Sequence, residues 1–263
     1  MQAIRALTLS SPPRKNFCEE ENNLIKRHQM QVNINNLTKT YGDKTAVSIP
    51  DFCMSDNEIV GLVGNNGSGK TTLFRLLTDL VKADTGEVSL NGVNPTQSEA
   101  WKQHTGVYLD EGFLIDYLTP EEYFDFVASI SAIDNESLEQ TLQQFETFMG
   151  GEILGQKKLI RDLSAGNKQK VGIIAAMLAH PQFLILDEPF NFLDPTSQNA
   201  LKAILSKFGQ REGTTVIVSS HNLQHTIDIS TRIVLLEKGL IINDFKTVDT
   251  AAIRELEAYF AAQ

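Results

Sequence analysis

From Gln31 onward, short apolar runs alternate along the chain with longer stretches of helical periodicity. The segments "QVNINNL", "EIVGLVG" and "EVSLNG" predict strands, and the last of them ends in an Asn-Gly turn. Two further segments, "FLILDEP" and "TTVIVSSH", are almost continuously apolar, which is typical of strands buried on both faces of a parallel sheet. A helical pattern, "KTTLFRLLTDL", follows the second strand. The alternation predicts an α/β fold with a mostly parallel sheet.

The middle of the chain, from about Glu111 to Gly172, has no strand pattern. It contains the helical runs "EEYFDFVASI" and "SLEQTLQQFETFM". The first run follows Thr119 and Pro120, which suit the cap and the first position of a helix. We therefore predict a helical subdomain at about residues 111–172, inserted in a single domain that covers residues 30–263.

The first 29 residues have a different composition. They contain "SSPPRKN" and "EEENN" with few apolar positions, which favours a disordered N-terminal extension. A targeting peptide is an alternative, because Arg5, Arg14 and Lys15 precede the first acidic residue. A third interpretation is that Met30 is the natural start, since sequence with a folded pattern begins there.

Composition narrows the class of protein. The chain has 263 residues, of which 41% are hydrophobic and 21% charged, as expected of a globular protein. Its formal net charge of -10 argues against a nucleic-acid partner, which would favour a basic surface. No apolar run approaches the roughly 20 residues that a membrane-spanning helix needs.

A glycine-rich segment, "GNNGSGKTT", joins the strand "EIVGLV" to a helix and has the spacing G-x-x-x-x-G-K-[ST]. Glycines allow the backbone to approach a phosphate chain closely, and the helix start directs amides at the anion. Lysine adds a positive charge, and the following threonine can bind Mg²⁺. The alternative is a turn that merely connects strand and helix. The residues predicted to bind the nucleotide are Gly64, Asn65, Asn66, Gly67, Ser68, Gly69, Lys70, Thr71 and Thr72.

Two carboxylates end the apolar strand "FLILDEP". Asp187 is predicted to hold Mg²⁺ together with Thr71, and Glu188 to polarise the water that attacks the γ-phosphate. An ordinary strand end with two solvated acids is the alternative. With the phosphate loop, this pair predicts a P-loop NTPase core with a mostly parallel sheet and a helical subdomain insertion.

In this order the motifs resemble the ATP-binding-cassette (ABC) ATPase family. The segment "LSAGNKQK" is similar to the family signature Leu-Ser-Gly-Gly-Gln, and one helix and Pro181 separate it from "FLILDEP", as in the family. "NFLDPTS" resembles the D-loop and includes Asp194. The resemblance covers roughly Gln31 to Phe245 and implies an N-terminal antiparallel β element beside the P-loop core. There are departures: Ala165 and Asn167 replace a glycine and the glutamine of the signature.

The resemblance assigns roles to further residues. His221 resembles the switch histidine that touches the γ-phosphate, with a satisfied strand-end histidine as the alternative. Tyr41 resembles the aromatic residue that stacks on adenine, or is simply packed. Ser164 and Gly166 would bind the ATP of a second subunit. Where the family has its Q-loop glutamine, this chain has Asp110 or Glu111.

The resemblance also implies a function. Two ABC ATPase subunits, identical or different, would close head to tail around two ATP molecules with Mg²⁺ and drive a transmembrane permease, in the direction of export. The subunit would then be cytoplasmic and peripheral, held at the membrane by the permease. We hypothesise that Phe113 and Tyr117 line a groove for a permease helix, although they could instead form the core of the helical insertion. A soluble single-cassette ATPase in assembly, repair or translation is the alternative function.

Overall fold

The computed structural model describes residues 30–262. The predicted N-terminal extension, residues 1–29, lies outside the described residues. The strands of the described part form two sheets, one of six and one of three strands. They are β1 (Val32–Tyr41), β2 (Lys44–Met54), β3 (Ile59–Val63), β4 (Thr85–Leu90), β5 (Thr105–Tyr108), β6 (Phe183–Leu186), β7 (Thr215–Ser220), β8 (Arg232–Glu237) and β9 (Leu240–Phe245).

Helices cover both faces of the larger sheet and form most of the middle of the chain. They are α1 (Lys70–Leu77), α2 (Pro120–Ile130), α3 (Asn135–Gln143), α4 (Glu146–Met149), α5 (Ala165–Met177), α6 (Pro195–Gly209), α7 (Leu223–Ile229) and α8 (Thr250–Ala261). Among the helices that the structure describes, none is both long enough and apolar enough to cross a membrane.

The larger sheet has the strand order β5-β6-β7-β3-β8-β9. Its first five strands are parallel, and β9 runs antiparallel beside β8. Every residue of β3, β6 and β7 is buried, as their continuous apolar patterns predict. Because the carboxyl ends of parallel strands meet at one edge, the segments after β3, β6 and β7 lie side by side there. The predicted mostly parallel sheet is confirmed.

The smaller sheet is antiparallel, with the order β2-β1-β4, and confirms the predicted N-terminal antiparallel element. Its buried face packs in one hydrophobic cluster with α1, including Ile34, Val47 and Phe74. After β4, Asn91 and Gly92 both have positive φ, and the flanking Leu90 and Val93 exchange two backbone hydrogen bonds. This is the predicted Asn-Gly turn.

Between Glu111 and Gly172 the chain forms helices and turns. Thr119 caps α2 in a reciprocal capping box with Glu122, which explains why this helix was predictable from its first residues. The prediction of one continuous helix for the second run, "SLEQTLQQFETFM", was wrong. The run divides into α3 and the single turn α4, because the chain breaks its helical path at Gln144 and Phe145, where the buried Phe145 ring enters the core.

Candidate functional site

The glycine-rich segment lies at the edge of the sheet where β3 ends and α1 begins, as predicted. Two of its glycines are required by close backbone approach. A Cβ at Gly64 would lie 2.2 Å from the carbonyl oxygen of Leu236, and one at Gly69 would lie 2.3 Å from that of Ala46. Gly69 also has a φ of 114°, which L-residues rarely adopt. The loop is therefore held in a shape that side chains would prevent.

Lys70 shapes this loop from inside. Its ammonium group is buried and donates hydrogen bonds to the carbonyl oxygens of Gly64, at 2.7 Å, and Asn65, at 3.4 Å. It also lies 3.6 Å from Oε1 of Glu188. The loop thus encloses a positive charge, while Asn65, Asn66 and Gly67 are exposed at its rim.

Ser68 provides a test of whether the loop fits a nucleotide. Its Oγ is buried and has no hydrogen-bond partner among the described residues. A buried polar atom without a partner costs free energy, so a ligand that supplies one is favoured. The unsatisfied hydroxyl of Ser68 and the positive charge of Lys70 inside the loop both fit a phosphate chain.

Thr71 and Asp187 meet although they are 116 residues apart in the sequence. Thr71 Oγ1 donates a hydrogen bond of 2.5 Å to Asp187 Oδ2, and Ser219 Oγ donates to the other oxygen, Oδ1. Burial raises the pKa of Asp187, whereas the hydroxyls of Ser219 and Thr71 lower it. A hydroxyl and a carboxylate oxygen are ligands that Mg²⁺ prefers, so this pair fits the ion.

Glu188 is fixed in an unusual conformation beside this pair. It has a φ of 48°, its backbone N–H donates to Ser219 Oγ at 2.8 Å, and its carbonyl oxygen accepts from Gln169 Nε2 at 3.2 Å. Such backbone strain occurs at functional sites, where the surroundings hold it in place.

The structure brings the two residues predicted to be catalytic into direct contact. Oε2 of Glu188 accepts a hydrogen bond from the backbone N–H of His221 at 3.1 Å, and the Nδ1 atom of His221 lies 2.8 Å from the same oxygen. Because a carboxylate only accepts, Nδ1 carries the proton, and Nε2 makes no hydrogen bond to the residues that the structure describes. About half of the His221 side chain is exposed, so the ring can meet a ligand from solvent.

The two candidates for the Q-loop position lie at the end of β5. Asp110 caps the short 3₁₀ turn Glu111–Phe113 by accepting from Gly112 N at 2.8 Å, and it lies 3.7 Å from the guanidinium of Arg75 on α1. Burial raises the pKa of the neighbouring Tyr108, and the charges of Glu111, Asp110 and Asp187 raise it further. Both carboxylates are therefore close enough to influence the same phenol as Asp187.

Tyr41 ends β1 and pairs with Lys44 across the hairpin. Its ring is about half exposed, with the Lys39 ammonium 5.6 Å from its centroid. The Lys44 ammonium lies 3.9 Å from where a Cβ of Gly67 would stand. The hairpin tip is thus adjacent to the phosphate loop, and Tyr41 is free of the core.

Ser164 and Gly166 lie apart from these contacts, at the start of α5. Ser164 caps the helix by accepting from Asn167 N at 3.2 Å. A Cβ at Gly166 would lie 2.6 Å from the carbonyl oxygen of Phe192. Ser164 thus contacts its own helix, and Gly166 lies against Phe192. Phe192 belongs to the segment that leads to Asp194, the N-cap residue of α6.

Two residues that hold the site were not predicted from the sequence. Ser219 orients both Asp187 and Glu188, and Gln169 holds the carbonyl of Glu188. Ser219 is one of two serines that end a strand with an apolar middle, which is the only local signal it carries. Gln169 lies in the second turn of a helix, where nothing in its spacing indicates this contact.

Comparison with known proteins decides the family. A family model described as "ABC transporter" matches residues 47–191. The chain belongs to the ABC transporter family. The uncharacterized ABC transporter ATP-binding protein MJ1023 of Methanocaldococcus jannaschii is 31% identical over 219 residues, which are 83% of this chain and 79% of that protein. The lipopolysaccharide export system ATP-binding protein LptB of Haemophilus influenzae is 32% identical over 216 residues, with 79% and 87% coverage.

Solved structures agree with this ABC fold. The ATP-binding subunit of an ABC transporter superposes with a TM-score of 0.76 and 25% identity, covering 86% of this chain and 93% of the other. The predicted fold class and the family resemblance are confirmed. As an ABC transporter ATP-binding protein, the chain binds ATP and is an ATPase.

A groove on this ABC protein lies between the 3₁₀ turn Glu111–Phe113, α2 and α5. Phe113 lines it and is 54% exposed. Tyr117 is 72% exposed but is not among the lining residues, and Phe124 is fully buried. The aromatic residues of this segment therefore have different environments. Phe124 belongs to the hydrophobic core, Phe113 lines the groove, and Tyr117 is exposed outside it.

Proposed function

We propose that this ABC ATP-binding protein dimerises around two ATP molecules, hydrolyses them, and drives a separate transmembrane permease. The single observation that carries the catalytic part is the contact of Glu188 with His221 beside Lys70 and the Thr71–Asp187 pair. This contact places three kinds of group at one edge of the sheet. They are a cation that can bind phosphate, a hydroxyl and a carboxylate that can bind Mg²⁺, and a second carboxylate that a histidine holds in position.

In this proposal the residues of the phosphate loop, Gly64 to Thr72, bind the phosphates through their amides and Lys70. Thr71 and Asp187 would hold Mg²⁺, which supplies charge neutralisation at the phosphates when bound. Tyr41, exposed beside the loop, would stack on adenine.

Glu188 would accept the proton of the attacking water, whose oxygen bonds to the γ-phosphorus as the bond to the ADP oxygen breaks. His221 donates from Nδ1 to Glu188 and so fixes the carboxylate, while its free Nε2 faces the γ-phosphate. Ser219 and Gln169 hold the backbone of Glu188 in the conformation that aims the carboxylate.

The dimer part of the proposal is supported by Ser164 and Gly166. They occupy a helix start, which favours an anion, and their contacts run to Asn167 and Phe192. We propose that they bind the ATP of a second ABC ATPase subunit. One solved neighbour of this fold is described as a dimeric cassette, MJ0796, with a TM-score of 0.73.

The transport part is supported by relatives. The bacitracin transport ATP-binding protein BcrA of Enterococcus faecalis is 31% identical. The relatives include the export protein LptB, 32% identical, and two sulfate/thiosulfate import proteins, 29–30% identical, and of the two directions we propose export. The subunit would lie on the cytoplasmic face of the membrane, with residues 30–263 as its domain and 111–172 as the helical subdomain next to the permease.

Affinity purification of the tagged full-length chain from its native membrane tests the transport part. A co-purifying protein with several membrane spans that stimulates ATP turnover is the expected result. Retrieval of the chain without any membrane protein, in a preparation that still hydrolyses ATP, would favour the single-cassette ATPase without a permease.

A further inference from the structure

A cationic pocket lies where the C-terminal ends of α3, α5 and α6 meet, and none of its lining residues belongs to the ATP site. Its volume is about 370 Å³, which is within the range of small-molecule sites. Lys207 and Arg211 line it, whereas no acidic residue does, although the formal net charge of the chain is -10. The pocket thus concentrates positive charge on an otherwise acidic protein, which favours an anionic occupant.

Neutral groups, rather than a carboxylate, hold Arg211 in place. Its guanidinium carbon lies 5.1 Å from the centroid of the buried Phe208 ring, and its Nη1 lies 3.2 Å from Nδ1 of His180. Because a guanidinium only donates, Nδ1 of His180 accepts, and Nε2 can donate to Thr141 Oγ1 at 3.2 Å. Burial, followed by the charge of Arg211, lowers the pKa of His180, so the imidazole adds no charge at about pH 7.

Neither cation of the pocket forms an ion pair with a carboxylate of the residues that the structure describes. The last turn of α6 favours a cation at Lys207 in any case. Arg211 differs, because Phe208 and His180 already order its side chain while its guanidinium has further N–H donors for a ligand. An ordered guanidinium loses little entropy on binding, and its planar fork matches two oxygens of a carboxylate or a phosphate.

The rest of the pocket is mainly apolar. Phe145, Met177 and Phe208 are each more than nine-tenths buried, and Ile204 is partly buried beside them. An inorganic ion would leave this apolar surface uncovered. An organic anion can cover it and still place its charge at Arg211, and burial of apolar surface adds to the binding free energy. The pocket therefore fits a small molecule with an apolar body and one anionic end.

The pocket and the ATP site lie at opposite ends of β6. His180 precedes this strand and lines the pocket, whereas Asp187 follows the strand at the ATP site. The His180 ring also connects Thr141 of α3 with Arg211, which follows α6. An anion that accepts hydrogen bonds from Arg211 would therefore act on the junction of these helices and not on the nucleotide.

We propose that this pocket binds a small organic anion, whose carboxylate or phosphate group pairs with Arg211 and Lys207 while its apolar body covers Phe145 and Met177. The site does not depend on the proposed function, because neither ATP nor a permease takes part in it.

Three probes with the same apolar body test the charge requirement: naphthoate, naphthyl phosphate and the neutral naphthamide. The full-length chain is isotope-labelled at its methionine methyl groups, and MgADP saturates the nucleotide site. The Met177 methyl signal, assigned with Met177→Leu, is followed by NMR as each probe is added. We expect at least one of the two anions to shift this signal saturably and to bind at least about tenfold more tightly than naphthamide, as for a hydrogen bond to a charged group. The two anions distinguish a carboxylate from a phosphate ligand.

Two variants are matched in chemistry, Arg211→Gln and Arg254→Gln. Each removes one exposed arginine, but only Arg211 lines the pocket. Arg211→Gln should weaken binding of the preferred anion about tenfold, and Arg254→Gln should bind it like the wild type. Because Arg211 also contacts His180, Lys207→Gln is a further variant that keeps this contact, and it should weaken binding about threefold, as for an exposed ion pair.

The inference would be overturned if no probe shifted the Met177 signal saturably, or if naphthamide bound as tightly as both anions. Wild-type affinity in both Arg211→Gln and Lys207→Gln would also overturn it. An equal loss in Arg254→Gln would do the same, because the effect would then reflect the general charge of the protein.

Discussion

The hydroxyl of Thr71, in the first turn of α1, donates a hydrogen bond of 2.5 Å to Asp187 at the end of β6. This contact joins the phosphate loop to the strand that carries Glu188. It depends on β3 and β6 being parallel with β7 between them, because only then do their carboxyl ends meet at one edge.

Lys70→Ala should weaken ATP binding by about 10- to 100-fold, which corresponds to roughly 1.5–3 kcal/mol for a hydrogen bond to a charged group. Lys70 also donates hydrogen bonds to the carbonyl oxygens of Gly64 and Asn65. Without these bonds, the phosphate loop should be more mobile when no nucleotide is bound. Titration with a fluorescent ATP analogue measures the effect, and the exposed Lys102→Ala is the control. An unchanged affinity would exclude a phosphate-binding role for Lys70.

Ser164→Arg should leave ATP binding by the single subunit unchanged and block ATP-driven dimerisation. Ser164 is exposed at the N-cap position of α5. A large side chain at this position should obstruct a second subunit but not the ATP site of the same subunit. Sedimentation velocity with ATP measures dimerisation. Ser137→Arg, at another exposed serine, controls for added bulk and charge, and normal dimerisation of Ser164→Arg would contradict the proposed interface.

Arg232→Leu should destabilise the protein by about 1–3 kcal/mol, because it removes a buried cation and leaves the partly buried Glu58 without its charged partner, whereas Asp244 keeps Lys246 at 3.0 Å. The Arg232 guanidinium is buried, lies 5.0 Å from the Phe52 ring centroid, and pairs with Glu58 at 3.0 Å and Asp244 at 2.7 Å. Urea unfolding gives the free energy. The exposed Arg254→Leu should change it by less than about 0.5 kcal/mol. If Arg232→Leu changed the free energy of unfolding as little as Arg254→Leu, the ion pairs of Arg232 would contribute little to stability.

His180→Gln should flatten the dependence of stability on pH. The ring bridges Thr141 and Arg211, and burial, followed by the charge of Arg211, lowers the pKa of His180 from 6.5. The unfolded chain therefore binds a proton more readily, and stability falls as pH drops from about 6.5 toward the lowered pKa. Urea unfolding between pH 7 and 5 measures the slope. Burial also lowers the pKa of His225, so the slope should decrease without vanishing. An unaltered slope would contradict this account.

The central strands and the site at their ends could be predicted from the sequence, because buried parallel strands are continuously apolar and each motif directly follows a strand. Other elements could not. Strand β2 contains Pro50, which weakens a strand pattern but is tolerated because β2 is an edge strand. Ser219 and Gln169 are ordinary residue types whose roles arise only when distant segments pack together.

The turnover of Glu188→Gln tests the central claim most directly. The substitution keeps the size of the side chain and the contact surface but removes the base, which contributes about 10²- to 10⁴-fold to a rate. The account predicts that this variant binds ATP with wild-type affinity, hydrolyses it at least about 10²-fold more slowly, and accumulates as an ATP-bound dimer. Hydrolysis by Glu188→Gln at the wild-type rate would contradict the assignment of Glu188 as the catalytic carboxylate.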